Sequence, residues 1–161
     1  MKTFESSTDA SELRFGVVVS RFTESISARL LESCSAELVR RGAREADIHV
    51  TWVPGAFEIP QAARALAVSG RYDAIVALGA VIRGETPHFD VVCDGVAAGV
   101  REVMRDTAVP VAFGVLTTEN AAQARARAGG EHGDKGQEVA LVAIEMARLL
   151  PRLSKPPGEI P

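Results

Sequence analysis

The chain has 161 residues, in which 18 Lys and Arg stand against 21 Asp and Glu, so its formal net charge is −3. This length fits one domain, and the combination of 47% hydrophobic with 24% charged residues excludes a chain that is disordered throughout. The mildly acidic balance argues against a nucleic-acid partner, and no apolar run reaches the roughly 20 residues that a membrane helix needs.

Short β-rich runs alternate with helical patterns along the chain. Residues 1–13 are polar and are expected to form a flexible or partner-docking arm before a folded domain over 14–154. β-rich runs, most of them continuously apolar, predict four strands, over 15–20, 48–53, 74–82 and 111–116. Apolar residues at helical spacing predict helices over 26–38, 57–68, 92–103, 121–128 and 139–150, and Pro151 is expected to end the last one. The proline-rich residues 155–161 are expected to form a flexible tail.

This alternation of buried strands and helices predicts an α/β fold. Its expected architecture is a three-layer α/β/α sandwich of flavodoxin-like type, in which helices cover both faces of a four-stranded parallel sheet. In such sheets a ligand binds beyond the carboxyl ends of the strands. We therefore expect the segments that follow the four strands, 20–23, 54–58, 83–88 and 117–120, to converge at one edge.

The segment RGETPHFD at 83–90 has the features of an anion site. Gly84 allows unusual backbone angles, Thr86 is suited to cap a helix, and Pro87 suits a first helical turn. Free N–H groups at such a helix start bind phosphate, and His88 beside them is suited to proton transfer near pH 7. On spacing alone, ordinary helix capping with a solvated His88 is the simpler explanation.

Two cations and three aromatic residues carry further binding potential. Arg127 and Lys135 bracket a glycine-rich stretch and suit phosphate, although a solvated turn between two helices explains them more simply. Phe22, Phe57 and Phe113 fall at or near predicted strand ends. Aromatic rings in such places stack on a flat heterocycle, or they pack in a core or a subunit interface.

Carboxylates and cysteines add less specific signals. Glu58 and Glu138 stand near predicted helix starts, where they accept hydrogen bonds from sugar hydroxyls or only complement the helix dipole. Cys34 and Cys93 lie on apolar helix faces and are expected to be buried packing thiols. The sequence has no CxxC pair and no metal-ligand spacing, which favours a reducing compartment, the cytoplasm.

Taken together, these segments resemble the lumazine synthase family, whose members act in riboflavin biosynthesis. The resemblance covers about residues 14–150. It implies a transferase without a metal or organic cofactor, which condenses 5-amino-6-ribitylaminouracil with 3,4-dihydroxy-2-butanone 4-phosphate. The implied products are 6,7-dimethyl-8-ribityllumazine, phosphate and water. The resemblance rests on the motifs RF at 21–22, VPGAFEIP at 53–60, GAVIRGETPHFD at 79–90, FGVLT at 113–117, and RAG and KG at the two ends of 127–136.

The resemblance also implies a role for each candidate residue. His88 is the implied proton-transfer group, and Phe22 is the implied stacking partner of the pyrimidine. Phosphate binding falls to Gly84, Glu85, Thr86 and Arg127. Pyrimidine and ribityl contacts fall to Ala56, Phe57, Glu58, Val81 and Ile82, with Phe113 from a neighbouring subunit and with Lys135 and Glu138 lining the same pocket.

Members of this family are pentamers or capsids of twelve pentamers. The short connection between Arg127 and Lys135 favours the 60-subunit capsid, with riboflavin synthase as a possible enclosed partner. Thr23 and Asp134 stand where many members have asparagine, so the resemblance leaves their contacts open. The alternatives are a lumazine-binding shell protein without turnover, a flavodoxin-like signalling receiver and an archaeal-type riboflavin synthase.

Overall fold

Strands and helices alternate through residues 3–154, the part of the chain that the computed structural model describes. The main strands are β1 (Phe15–Ser20), β2 (Ile48–Val53), β3 (Ala74–Ile82) and β4 (Val111–Thr118). The helices are α1 (Glu24–Arg40), α2 (Ile59–Val68), α3 (His88–Thr107), α4 (Ala121–Arg127) and α5 (Lys135–Leu153). One-turn 3-10 helices at Glu45–Asp47 and Ala56–Glu58 precede β2 and α2, and a short ribbon of β5 (Ala128–Gly130) and β6 (Gly133–Asp134) separates α4 from α5.

The four main strands form one parallel sheet in the order β2-β1-β3-β4. Val19 of β1 lies opposite Trp52 of β2 and Leu78 of β3. All of β1 and the first seven residues of β3 are buried, as expected of central strands that are covered on both faces. The predicted flavodoxin-like α/β/α sandwich with a four-stranded parallel sheet is confirmed.

Each face of the sheet has its own hydrophobic cluster. α1 and α5 cover one face with fully buried Leu30, Leu38 and Ile144, and α2 and α3 cover the other with Ile59 and Val96. Burying one such aliphatic side chain contributes about 1.5–3 kcal/mol. Within residues 3–154, no helix combines the length and the apolar character that crossing a membrane requires.

Two glycines of α3 allow the segment around the start of α2 to pack closely against it. A Cβ atom at Gly95 would lie 2.3 Å from the ring of Phe57, and a Cβ atom at Gly99 would lie 2.7 Å from the ring of Pro60. A larger residue at either position would displace the turn Ala56–Glu58. The glycines therefore fix this turn relative to α3, and both elements carry predicted site residues.

Residues 3–13 lie against α1 and α5 of the same chain. Ala10 and Leu13 are buried in the cluster under these helices. The guanidinium Nε of Arg148 donates to the Asp9 carbonyl at 2.9 Å. The polar segment thus adds two side chains to the core of its own subunit. Its predicted boundary at residue 14 and its partner-docking role stay predictions, and the predicted tail at 155–161 lies outside the described residues.

Several element boundaries differ from the sequence predictions, among them those of β4, α3 and α5. β4 continues to Thr118 because its last residues pair with the end of β3, where Thr118 lies opposite Ile82. α3 begins at His88, one turn before the apolar spacing starts, because its first turn is exposed. α5 continues through Pro151 to Leu153, since the proline lacks only its own N–H and the Ser154 N–H still donates to the Leu150 carbonyl at 3.2 Å.

The connection between α4 and α5 is a two-stranded ribbon, which the sequence analysis treated as a turn. Gly129 and Gly133 have φ angles of +79° and +96°, in the left-handed region that glycine adopts without strain. Ala128 pairs with Asp134 across the ribbon. The pairing fixes the end of α4 close to the start of α5.

Candidate active site

Hydrogen bonds join the carboxyl ends of neighbouring strands. The Arg21 N–H, directly after β1, donates to the Val53 carbonyl of β2 at 2.9 Å. The Arg83 N–H, directly after β3, donates to the Thr118 carbonyl of β4 at 2.9 Å. These bonds continue the sheet into the segments that follow the strands. The four segments therefore meet at one edge, as predicted, and this edge is called the carboxyl edge below.

The loop between β3 and α3 offers free backbone donors at the carboxyl edge. The N–H groups of Gly84, Glu85 and Thr86 have no acceptor within residues 3–154, and all three residues are exposed. A Cβ atom at Gly84 would meet no atom within 4 Å. Free N–H groups ahead of a 20-residue helix attract anions. The loop has the exposed backbone donors that the sequence predicts, and phosphate binding there stays a prediction.

His88 is the first residue of α3, and Pro87 is the N-cap. The sequence analysis placed Thr86 as the cap, but its Oγ1 accepts only a long hydrogen bond, 3.4 Å, from the His88 N–H. The imidazole is exposed, and neither ring nitrogen has a hydrogen-bond partner in the described part of the chain. Both nitrogens are thus available to a ligand bound at the loop.

The turn Ala56–Glu58 and the end of β3 form the next part of the carboxyl edge. Phe57 is 56% exposed, although its ring also contacts Gly95 of α3. Glu58 is half-buried just before α2, where the helix dipole favours a carboxylate. Val81 and Ile82, the last two residues of β3, are half-buried. An apolar floor, an aromatic ring and a carboxylate are thus brought together.

Phe22 projects from the segment that follows β1. It is 88% exposed, so its ring is available to stack on a ligand or to pack against a partner. The neighbouring Thr23 does not share this freedom, because its Oγ1 donates to the Ala80 carbonyl of β3 at 2.9 Å. Thr23 therefore anchors the start of α1 to the sheet.

Phe113 lies away from the carboxyl edge of its own subunit. It is the third residue of β4, opposite Ala77, whereas the strand ends with Thr118 opposite Ile82. Five residues correspond to about 16 Å along a strand. The prediction that Phe113 falls near a carboxyl end is wrong, because five residues of β4 follow it. Phe113 is 38% exposed on this edge strand.

Arg127, Lys135 and Glu138 accompany α4 and α5 rather than the carboxyl edge. Arg127 ends α4, is exposed, and has no ion pair within residues 3–154. The Nζ of Lys135 pairs with Glu138 in the first turn of α5. The N-cap of α5, Asp134, accepts a hydrogen bond from Ser33, which is ten residues into α1 and so about 14 Å from its start. The N-terminus of α5 therefore lies well away from the carboxyl edge, toward the opposite end of the sheet.

Two open grooves of the subunit lie away from the carboxyl edge. One, of about 530 Å³, lies between α1 and β2 beside Val39 and Val50. The other, of about 390 Å³, lies between α3, β4 and α5 beside Met104 and Val142. None of the predicted site residues lines either groove. Phe22 and residues 83–88 are exposed, so the described part of one subunit leaves its carboxyl edge open rather than enclosing it.

Arg83 is a charged residue at the carboxyl edge that the sequence analysis did not single out. Its guanidinium donates to Glu119 at 2.7 Å and to both carboxylate oxygens of Asp90 at 3.1 and 3.2 Å. The hydrogen bonds to Asp90 and then to Glu119 raise the pKa of Arg83, so the side chain stays charged. The opposite charges of Arg83 and Asp90, which flank the loop in sequence, were a signal for this role.

Cysteines and metal-ligand side chains do not extend the site. Within residues 3–154, no three His, Cys, Asp or Glu side chains are grouped as a metal site. Burial, together with the nearby Asp134 carboxylate, raises the pKa of Cys34 to about 12, so it remains a thiol. Cys93 is only half-buried, which corrects the prediction of a buried residue.

The family model and the two relatives compared with this chain carry the same enzyme name. The family model for 6,7-dimethyl-8-ribityllumazine synthase matches residues 12–151, a span that contains every predicted site residue from Phe22 to Glu138. The 6,7-dimethyl-8-ribityllumazine synthases of two Clostridium kluyveri strains are 50% identical over 153 residues, which cover 95% of this chain and 99% of each relative. The chain belongs to the 6,7-dimethyl-8-ribityllumazine synthase family.

Proposed function

We propose that this chain is a lumazine synthase, a transferase of riboflavin biosynthesis. It condenses 5-amino-6-ribitylaminouracil with 3,4-dihydroxy-2-butanone 4-phosphate and forms 6,7-dimethyl-8-ribityllumazine, phosphate and water. Family membership over residues 12–151 supports this reaction. The structural observation that carries the proposal is the row of free N–H groups at residues 84–86, set directly before His88 at the start of α3.

The phosphate of the four-carbon substrate binds at residues 84–86. Free backbone donors and the positive end of α3 favour a dianion there. Arg127 supplies a guanidinium whose planar fork matches phosphate oxygens, and it has no ion pair among residues 3–154 that would compete. These groups bind the phosphate in the substrate and stabilise the charge that develops as it leaves.

His88 moves the protons of the reaction. The amine of the pyrimidine attacks the ketone carbon, and the ketone oxygen leaves as water when the imine forms. A carbon-bound proton next to the imine is then removed, and phosphate leaves from the adjacent carbon. The resulting enol tautomerises to a ketone, and the ribityl-bearing amine attacks this ketone and releases a second water as the ring closes. An imidazole suits both the donation and the removal of protons near neutral pH. Because the substrate amine is itself the nucleophile, the enzyme needs no covalent intermediate.

The pyrimidine and its ribityl chain bind beside this loop. The exposed ring of Phe22 stacks on the heterocycle, and the carboxylate of Glu58 accepts hydrogen bonds from ribityl hydroxyls. Holding two substrates in register supplies much of the acceleration. Backbone groups at Ala56, Phe57, Val81 and Ile82 bond the ring and the chain.

A neighbouring subunit completes each site, in a homopentamer that assembles twelvefold into a 60-subunit capsid. The position of Phe113, about 16 Å from the carboxyl edge of its own subunit, supports a shared site. The start of α5, with Lys135 and Glu138, also lies away from that edge and supports the same arrangement. Phe113, Arg127, Lys135 and Glu138 then face the edge of the next subunit. The cytoplasm as compartment and riboflavin synthase as an enclosed partner belong to the same proposal.

The test mixes the purified protein with both substrates and follows lumazine fluorescence together with phosphate release. We expect product and phosphate in equal amounts. A matched reaction with the unphosphorylated four-carbon ketone lacks the leaving group and should give far less product. Binding of both substrates without product would instead identify an inactive shell protein, and absence of binding would contradict the proposed function.

Light scattering on the same preparation tests the assembly. Five chains of 17.1 kDa give about 86 kDa (5 × 17.1), and sixty give about 1,030 kDa (60 × 17.1). We expect the larger particle. A stable 86-kDa species would retain the shared site and remove the capsid, whereas an active monomer would contradict both.

A further inference from the structure

We propose that Arg83 is a positioning residue that holds the phosphate-binding loop and His88 in their working geometry, an inference that rests on the proposed function. Its guanidinium joins three segments of the carboxyl edge. It extends from the end of β3, bonds both carboxylate oxygens of Asp90 in the first turn of α3, and bonds Glu119 in the segment after β4. The guanidinium also lies over the ring of Phe89, 4.2 Å from its centroid.

These contacts close a ring around the loop at residues 84–88. Arg83 stands at one end of the loop, and Phe89 with Asp90 stands at the other. The residues between these two ends are exposed. Among the described residues, the hydrogen bond to a side chain within the loop is the long one that the His88 N–H donates to Thr86 Oγ1. These contacts of Arg83 with Phe89, Asp90 and Glu119 are called the Arg83 clamp below. The clamp determines where the free N–H groups and the imidazole are presented. A bidentate guanidinium–carboxylate pair is suited to this because it fixes orientation as well as distance.

The same contacts control the charge beside the phosphate site. Asp90 and Glu119 are two carboxylates next to a loop that binds a dianion, and Arg83 neutralises one of the two charges. Without the guanidinium, both carboxylates would repel the phosphate. The clamp thus supports phosphate binding through geometry and through electrostatics, and these two contributions are separable by mutation.

A structural role alone would have a different signature. All three side chains are exposed, and ion pairs of this kind contribute little to the free energy of unfolding. Removing Arg83 should therefore leave the fold nearly unchanged. The loss should instead appear in the step that uses the loop, since a displacement of about 1 Å at a reacting centre costs up to about 100-fold in rate.

The experiment compares R83M with the control R105M. Arg105 is at the other end of α3 and also pairs with an aspartate, Asp106, at 2.9 Å. For R83M we expect KM for the phosphate substrate to rise about 10-fold and kcat to fall about 10-fold, whereas the Kd for the pyrimidine and the Tm stay near wild type. R83K should recover part of the loss, because a lysine keeps the charge but not the bidentate geometry.

Further variants separate geometry from charge. Adding D90N and E119Q to R83M removes the unpaired carboxylates and should lower KM for the phosphate substrate without restoring kcat. The variant D90N/E119Q, which retains Arg83, carries the same kcat test if R83M fails to fold. Kinetic constants of R83M equal to those of R105M, or equal losses of pyrimidine and phosphate binding, would overturn the inference. Wild-type protein that forms no lumazine would contradict the proposed function instead.

Discussion

The hydroxyl of Ser33 in α1 donates a 2.7 Å hydrogen bond to the carboxylate of Asp134. The same carboxylate caps α5, because it also accepts from the Gly136 N–H at 2.9 Å and the Gln137 N–H at 3.3 Å. A negative charge is favoured at this helix N-terminus. Asp134 therefore caps α5 beside Lys135 and joins the start of this helix to α1.

Substitution of this cap should measurably destabilise the protein. D134A removes the acceptor of two backbone N–H groups and of the Ser33 hydroxyl, so the free energy of unfolding should fall by about 1–2 kcal/mol. D134N keeps a side-chain oxygen and should cost less than half as much. Urea unfolding of both variants checks this. Equal losses would show that the charge, and not the cap, stabilises the α1–α5 contact.

Loss of the imidazole should slow the chemistry without abolishing it. We expect H88A to lower kcat about 100-fold, since one acid–base group contributes about 10²–10⁴-fold and positioning of the two substrates remains. Steady-state kinetics of H88A and of the control H49A, in which the histidine of β2 is removed, provide the measurement. An unchanged kcat in folded H88A would remove His88 from the mechanism.

Two arginines of one short helix allow a matched test of phosphate binding. R127A should raise KM for the phosphate substrate about 10- to 100-fold, because a charged hydrogen bond contributes about 1.5–3 kcal/mol. R125A, which removes the same charge two residues earlier in the last turn of α4, should change KM by less than about 2-fold. Titration of R127A with the pyrimidine should show wild-type affinity. A loss of pyrimidine affinity instead would assign Arg127 to the other substrate.

Mixing of the two impaired variants, assayed below the wild-type KM for the phosphate substrate, tests whether sites are shared. In a ring refolded from equal amounts of H88A and R127A, about one site in four combines an intact His88 with an intact Arg127 from its neighbour. We expect about a quarter of the wild-type activity, far above the activity of either variant alone. The control mixes the two proteins without unfolding them, which prevents exchange. Activity equal to the mean of the two variants would place both residues in one subunit.

A buried carboxylate should make stability depend on pH. Burial alone would raise the pKa of Glu37, but hydrogen bonds from Arg41 and Arg40 outweigh it and hold the pKa below its usual value. Since the folded-state pKa is lowered, the stabilisation is present above the unfolded-state pKa of about 4.3 and is lost as pH falls through the folded-state value. E37Q should cost about 1–3 kcal/mol at pH 7.

Urea unfolding of wild type and E37Q from pH 7 to pH 3 measures this effect. The difference between them should narrow below about pH 4. E102Q, at an exposed position of α3, should track wild type across the range. A difference between wild type and E37Q that stays constant with pH would show that packing, and not the charge, is lost.

The sheet was predictable because three of its four strands, β1, β3 and β4, are nearly continuous apolar runs. The run Ala74–Ile82 can only be a covered central strand, and its position predicted the carboxyl edge. Element ends were harder, because Thr117 and Thr118 extend β4 through backbone pairing with β3, which leaves no hydrophobic signal. The burial of Ala10 and Leu13 was also missed, since two isolated apolar residues in a polar stretch carry no periodicity.

Candidate site residues were predictable where a backbone feature determines them. Gly84 and Pro87 predict an exposed loop before a helix, and the structure has that loop. The clamp of Arg83 was not recognised, because its partner Glu119 is 36 residues away in sequence. The predicted position of Phe113 was wrong because the distance of a residue from the carboxyl edge depends on where its strand ends, and β4 ends at Thr118.

An open carboxyl edge has a consequence for how the enzyme must be assayed. If the ring of Phe113 that covers one subunit belongs to the next, a free chain holds no working site, and turnover per chain depends on protein concentration. Dilution below the dissociation constant of the ring should then inactivate the enzyme while each chain stays folded, and reconcentration should restore it. The fraction of chains with a working site would then be set by the association of subunits, and folded monomers would stay inactive until they associate.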